Sequence, residues 1–288
     1  MSAAPPDPAS FLSGDAGDVT SPWRRAKRTL GELACDAVDA ASGTRRRAAR
    51  LADADGARRD VLVIGVYRPG SLLASQLPEL RSKRHSVRLA LGTTAAADAA
   101  MREHTLLEGL AGGKFENLNR LLAAPDRSPD WILAVDDDVR LPRGFLDRFV
   151  AACEAFRLDL AQPAQTLRSH SAWKVTRRRP ASIVRETRFV EIGPVTAFGR
   201  RAAAELLPFP ELRFGWGLDL HWAAVAAERG WRLGVVDALP VRHESGVVGA
   251  SYSRGDAEDE AARFLTGRAY LPSERANDVL AVHRRVGG

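Results

Sequence analysis

Eight residues constrain this chain more than any others: Trp131-Ile132-Leu133-Ala134-Val135-Asp136-Asp137-Asp138, an apolar run that ends in three consecutive carboxylates. A short apolar segment that stops abruptly reads as a buried strand, and strand side chains alternate between faces. Carried through the acids, the alternation turns Asp136 and Asp138 to one side and Asp137 to the other. Same-face residues lie ~7 Å apart, and two anions at that distance repel by roughly 2–3 kcal/mol at an effective dielectric of ~20. A divalent cation between them removes the penalty. Mg²⁺ and Mn²⁺ take oxygen ligands, and Mg²⁺ is commonly held by one or two carboxylates together with substrate phosphates. The strand end therefore reads as a metal–diphosphate site, against the plainer alternative of acids solvated at a turn.

The segments around it alternate strand and helix. Val61 to Tyr67 has the character of a buried strand, Arg68-Pro69-Gly70 a turn, Ser71 to Arg81 a helix, and Val87 to Leu91 a second strand. Gly112-Gly113 introduces a helix with Phe115, Leu118 and Leu122 on one face, then comes the acid-tipped strand, then a helix over 143–157. Such alternation predicts an α/β fold with a doubly wound, mainly parallel sheet, whose ligands bind beyond the carboxyl ends of the strands. After residue 158 the pattern loosens. Leu158 to Pro163 and Phe189 to Phe198 read as strands, Arg168 to Arg188 as polar and basic, Leu218 to Arg229 as a helix stopped by Gly230, and Trp231 to Val236 as a strand.

Residues 1–20 have little to bury and read as a disordered leader. From Ser21-Pro22, a good helix start, Trp23, Leu30, Leu33 and Val38 follow at loosely helical spacing among Arg24, Arg25, Lys27 and Arg28. That pattern suits a basic helix lying on an anionic membrane surface, and equally an accessory helix packed on the domain. The net charge of +6 favours anionic partners, but the excess is almost all Arg and so weak evidence by itself. Cys35 and Cys153 are too few for a disulfide framework, and Cys153 falls among Phe145, Phe149 and Phe156 on an apolar helix face, as a buried thiol would. The beginning of the chain lacks the basic and apolar regions of a secretory signal, and no uncharged apolar run approaches the ~20 residues of a membrane span. The expectation is a cytoplasmic protein, soluble or peripheral at the inner face of the membrane.

With its acidic strand end behind an α/β half, the chain resembles a nucleotide-sugar glycosyltransferase of the GT-A fold. Lys114-Phe115-Glu116-Asn117-Leu118 resembles the Asn-Leu helix start of several such families. The ordered series Phe189-Val190-Glu191-Ile192-Gly193-Pro194-Val195, Gly215-Trp216-Gly217-Leu218-Asp219, Gly234-Val235-Val236-Asp237 and His243 is similar to a glycosyltransferase-like family of unknown function best known from plants. The similarity spans roughly residues 61–249, with Asp137 standing where a Glu is common in that family. It implies a Rossmann-like, doubly wound mixed sheet forming one catalytic domain over 60–250. A leader and basic helical extension (1–59) would precede it, and a helical tail (251–288) would follow. It further implies a nucleoside-diphosphate sugar as donor, UDP above others, with Mn²⁺ or Mg²⁺ as cofactor and no acceptor that the sequence names.

The resemblance also distributes roles. Asp136 and Asp138 would hold the metal, and His243 resembles the late His that completes the metal site in many GT-A enzymes. Asp219 becomes the candidate general base, whereas by local pattern it is equally an acid favoured at a helix start. A carboxylate base opposite the departing diphosphate implies single displacement with inversion. Gly112, Gly113, Lys114 and Asn117 form a glycine-led helix start whose N–H groups suit an anion or nucleotide edge, or simply cap a surface helix. Val66, Tyr67 and Arg68 occupy the first strand-to-helix turn, where the fold places the nucleotide, and Asp137 is a further candidate nucleoside contact. Arg177 to Arg179 offer a phosphate clamp or a solvated loop. A phosphohydrolase of the Asp-x-Asp-x-Thr/Val type is disfavoured by Arg140 at its final position. A nucleotidyltransferase lacks its Gly-rich, Lys-containing first loop here, and a non-catalytic basic binding protein would leave the acid cluster idle. No motif or aromatic-basic platform points to nucleic acid.

Overall fold

Strand β1 (Asp60–Tyr67) shows how the sheet is built: Val61, Val63 and Tyr67 enter one hydrophobic cluster while Leu62 and Ile64 enter another. Strand β4 (Trp131–Val135) divides likewise, Trp131, Leu133 and Val135 to the first cluster and Ile132 and Ala134 to the second. Both strands are covered on two faces, which is why they read as unbroken apolar runs. The computed structural model describes residues 7, 21–53, 56–123, 128–244 and 253–286. The expected leader, Asp7 apart, and the expected boundary at 250 lie outside the described residues.

β1 is flanked in parallel by β4 and by β2 (Ser86–Thr93), which pairs in parallel with β3 (Thr105–Leu107). On its other side β4 meets β8 (Val195–Gly199) antiparallel. From there the sheet runs through β6 (Leu160–Gln165), β9 (Leu233–His243) and β7 (Val184–Thr187) to β10 (Val279–His283). Two-residue β5 (Val139–Arg140) pairs with the far end of β9. The result is α/β with a ten-stranded mixed sheet, parallel in the half that comes first in the chain. Helices α2 (Thr44–Asp53), α3 (Leu73–Gln76) and α5 (Phe145–Ala155) supply the first cluster. Helices α4 (Lys114–Leu122), α6 (Arg200–Leu206), α7 (Leu218–Arg229) and α8 (Arg254–Leu265) supply the second. Cys153 is fully buried in the first cluster with Phe145, Phe149 and Phe156, and burial pushes its thiol well above the usual range.

Several elements differ from expectation. The helix expected over 71–81 is α3 followed by a 3₁₀ turn at Leu77–Leu80, where Pro78 lacks the N–H an α-helix would need. Of the expected strand 189–198 only residues 195–198 are strand, the first four of β8 (Val195–Gly199). Pro194 cannot donate to a ladder, and its carbonyl instead accepts the Asp136 N–H at 2.9 Å. Strand β9 does not stop at Val236. It continues to His243, with Pro240 falling between partners on β7 and β6 before it and on β6 and β5 after it. The basic stretch 168–188 contains β7, and the tail expected to be helical adds edge strand β10 beside it.

Helix α1 (Pro22–Ala41) is packed on the protein by charge. Arg178 from the run 177–179 has a guanidinium 1% exposed, bound to Glu32, to Asp36 at 2.7 Å and to Asp39 at 2.5 Å. Asp39 also accepts the Ala181 N–H and Glu32 the Leu167 N–H. Arg178 is therefore an internal tie and no phosphate clamp. Removing one partner of a buried ion pair leaves the other uncompensated, at about 3–5 kcal/mol. Asp39→Ala is accordingly expected to lose stability of that order in urea unfolding, whereas Asp36→Ala, whose side chain is 40% exposed, should lose clearly less.

Candidate active site

The three acids are not strand residues; β4 ends at Val135 and Asp136 to Asp138 turn the chain into β5. Their positions are set by backbone contacts: the Asp136 N–H donates to Pro194, the Glu244 N–H donates to the Asp138 carbonyl at 2.9 Å, and Val139 of β5 lies opposite His243 of β9. Each acid then meets a cation from a different element. Asp136 Oδ1 lies 2.6 Å from Nζ of Lys114, the first residue of α4. Asp138 Oδ1 lies 3.1 Å from His243 Nε2. Asp137 points elsewhere and takes a two-pronged contact from Arg68, Nη2 at 2.9 Å and Nε at 3.0 Å, plus the Arg68 backbone N–H at 2.9 Å. The expected division of the acids thus survives although a turn, not a strand, produces it.

Asp136, Asp138 and His243 each offer a ligand atom within 4.8 Å of the others. Two carboxylates and an imidazole make a donor set suited to Mn²⁺ and open to Mg²⁺. One wall of the site tolerates no side chain: a Cβ on Gly193 would stand 2.8 Å from Asp136 Oδ2. Burial opposes charge on His243, but its hydrogen bond to Asp138 and the charges of Asp138, Asp136 and Glu191 outweigh that and raise its pKa.

Beside this cluster lie two acids kept from water. Asp219, the second residue of α7, is 6% exposed. Burial raises its pKa to about 7 against the backbone N–H groups of Leu220, Asp219 and Ile192, which favour the anion. Gly215 and Gly217, both at positive φ, shape the turn in front of it, and a Cβ on Gly215 would collide with the Phe115 ring at 1.9 Å. Glu191 keeps some exposure as a residue, yet its carboxylate is the desolvated end and accepts from Gln165 Nε2 at 2.8 Å. Burial, then the charge of Asp219, lift Glu191 to about 8, against the pull of His243, the Ala172 N–H and the Thr176 hydroxyl. Glu191 received no role from the sequence, although an acid between Val190 and Ile192 was the available signal.

The remaining expected residues are distributed unevenly. Arg68 lines an open cleft of about 500 Å³ with Pro69, Gly70, Asp137, Asp138 and Glu244, next to the metal-type cluster. Val66 is half-buried, whereas Tyr67 is in the core with its hydroxyl 2.7 Å from Thr105 Oγ1, which leaves only its backbone for a ligand. Asn117 is buried, its amide oxygen taken by Arg120 Nη1 at 3.2 Å. The tail contributes more than expected: Glu260 of α8 accepts the backbone N–H groups of Arg213, Phe214 and Gly215 at 2.7, 2.9 and 3.0 Å and so holds the loop ahead of Asp219.

No family model matches this chain, and no curated protein matches it. Among solved structures it is similar to the mannosyltransferase PcManGT from Pyrobaculum calidifontis in complex with GDP-Man and Mn²⁺, with 18% identity, 85% of this chain and 79% of that one covered, and a TM-score of 0.48. It is also similar to S. aureus TarS 1-349 in complex with UDP-GlcNAc (12% identity, 68% and 62% covered, TM-score 0.48). A third likeness is to GalNAc-T7 with UDP, GalNAc and Mn²⁺ (13% identity, 68% and 45% covered, TM-score 0.49). The chain spans less than two thirds of the last two. At TM-scores below 0.5 these likenesses decide nothing about chemistry, which rests on the side chains described above. No described helix is long and apolar enough to cross a membrane.

The raised pKa of Asp219 fixes a sign. The unfolded chain gives up this proton near the usual 3.8 and the folded one only near 7, so between those values the folded state binds more protons and stability falls as pH rises. Each pKa unit corresponds to about 1.4 kcal/mol. Asp219→Asn, which removes the titration, should gain stability relative to the parent as pH climbs from 4 to 7, by a few kcal/mol (order of magnitude), with no further change above. Denaturant unfolding at a series of pH values checks this; a constant difference would show that the folded protein does not hold that proton.

Proposed function

We propose that the protein is a metal-dependent glycosyltransferase that moves a sugar from a nucleoside-diphosphate sugar, UDP above GDP, to an acceptor hydroxyl with inversion. The observation that carries this reading is the placement of Asp136, Asp138 and His243 within one ligand radius, beside Lys114 and the buried acids Asp219 and Glu191. The resemblance of the ordered motif series to the plant family supports it. Asp136, Asp138 and His243 would hold Mn²⁺ or Mg²⁺, which when bound supplies Lewis-acid neutralisation of the leaving diphosphate.

The chain's own groups account for the rest. Lys114, beside Asp136 at the head of α4, would offer its ammonium to a phosphate oxygen. Arg68, locked to Asp137, shapes the first loop against which the nucleoside lies. Asp219, whose pKa burial raises to about 7, is assigned the proton-accepting role, which matches base strength to the working pH. Asp219 takes the acceptor's hydroxyl proton, the oxygen bonds to the anomeric carbon from the side opposite the diphosphate, and the nucleoside diphosphate leaves with the bonding electrons.

Three outcomes are expected. Calorimetry should show UDP binding with Mn²⁺ that weakens strongly with chelator, and Asp138→Ala should abolish the metal dependence; equal binding with and without metal in the parent would overturn the assignment. Because His243 must lose its raised proton to bind an ion, Mn²⁺ affinity should increase with pH. In single-turnover transfer to any acceptor that is found, Asp219→Asn should slow the step by on the order of 10²–10⁴-fold while UDP still binds. Asn and Asp cap helices about equally, so a purely structural Asp219 would leave the rate near normal. A product that retains the donor's anomeric configuration by NMR would remove Asp219 from this role.

A further inference from the structure

Helix α1 is amphipathic the wrong way round for a helix packed on a protein. The face toward the protein carries Glu32, Cys35, Asp36 and Asp39, and the face toward solvent carries Trp23, Leu30, Leu33 and Val38, which are 78%, 67%, 60% and 43% exposed. These are four of the eight large exposed hydrophobics among the described residues, gathered on one helix. Positions 23, 30, 33 and 38 recur with helical spacing on the side away from 32, 35 and 39. The helix cannot roll to hide this stripe, because the buried guanidinium of Arg178 grips Glu32 and Asp39 from beneath. Its rotation is fixed with the apolar side out.

The charges on α1 are sorted in the same sense. Its three acids, Glu32, Asp36 and Asp39, are all bound to Arg178. The half from Pro22 to Gly31 contains Arg24, Arg25, Lys27 and Arg28 and no acid, and Arg24, Arg25 and Lys27 are exposed. An apolar stripe on a helix whose first half carries exposed cations, with every acid tied to Arg178, complements an anionic phospholipid surface: the stripe enters the acyl boundary and the long basic side chains stay at the headgroups. A protein partner with an apolar groove would not require the cations, and a second copy of this face would set cation against cation. We propose that the outer face of α1 docks the protein on anionic phospholipid membranes.

The test uses the full chain with vesicles of mixed phosphatidylglycerol and phosphatidylcholine, and with phosphatidylcholine alone. The full chain should co-sediment with the anionic vesicles, and salt should weaken binding because the charges are exposed. At about 1 kcal/mol per basic residue near the surface, replacing Arg24, Arg25 and Lys27 by Gln should lower partitioning by on the order of 10²-fold. Leu30→Ser with Leu33→Ser should lower it at least as clearly, and since both side chains are exposed the urea unfolding midpoint should stay unchanged. Absence of binding to anionic vesicles at low salt overturns the proposal, as does full binding by the double Ser variant. A dimer in sedimentation velocity that the Ser variant converts to monomer would also overturn it, by showing that a second copy covers the stripe. None of these readouts depends on glycosyl transfer, so the two proposals stand or fall separately.

Discussion

Three carboxylates on consecutive residues can share one turn only if each is supplied with a positive partner, and here the partners come from three separate parts of the chain. Lys114 arrives at the head of α4, Arg68 from the loop after β1, and His243 at the end of β9. Partly exposed pairs of this kind contribute little each, so they do not assemble the site unaided. The β4–β8 ladder, the Asp136–Pro194 bond and the short β5–β9 pairing bring the elements together first. The pairs then fix where each carboxylate points, two toward His243 and Lys114 and one toward the loop after β1.

A second set of acids is handled in the opposite manner. Asp136 to Asp138 each have a basic side chain within hydrogen-bond reach, whereas Asp219 and Glu191 are desolvated and their pKa values raised. One set of carboxylates is paired and the other withdrawn from water. The loops that make this possible are narrow: Gly193 and Gly215 leave no room for a Cβ against Asp136 and Phe115.

Much of this was legible in the sequence because its signals are local. Double-sided burial of β1 and β4 shows as unbroken apolar runs, Gly217 and Gly230 mark the ends of α7, and the acid triplet announces its own electrostatic problem. What was not legible depends on distant partners. Strand β7 is four residues long and carries Arg185 and Glu186, and edge strand β10 is equally brief; both exist because β10 pairs with β7 and β7 with β9. Glu260 looks like any surface acid until the loop at 213–215 is placed against it. In α1 the helical period was plain, but the inward face was not, since burial there is driven by an arginine from far along the chain rather than by apolar contact.

The Glu260 contacts carry one more implication, concerning order of synthesis. The loop at 213–215 precedes α7, yet its three backbone donors are satisfied by a helix made later. While a growing chain emerges, the sheet strands up to β9, the β10 side of β7 apart, and the acid turn have their partners, but the approach to Asp219 is still without its clamp. The loop in front of Asp219 therefore reaches its final shape only after α8 has been made.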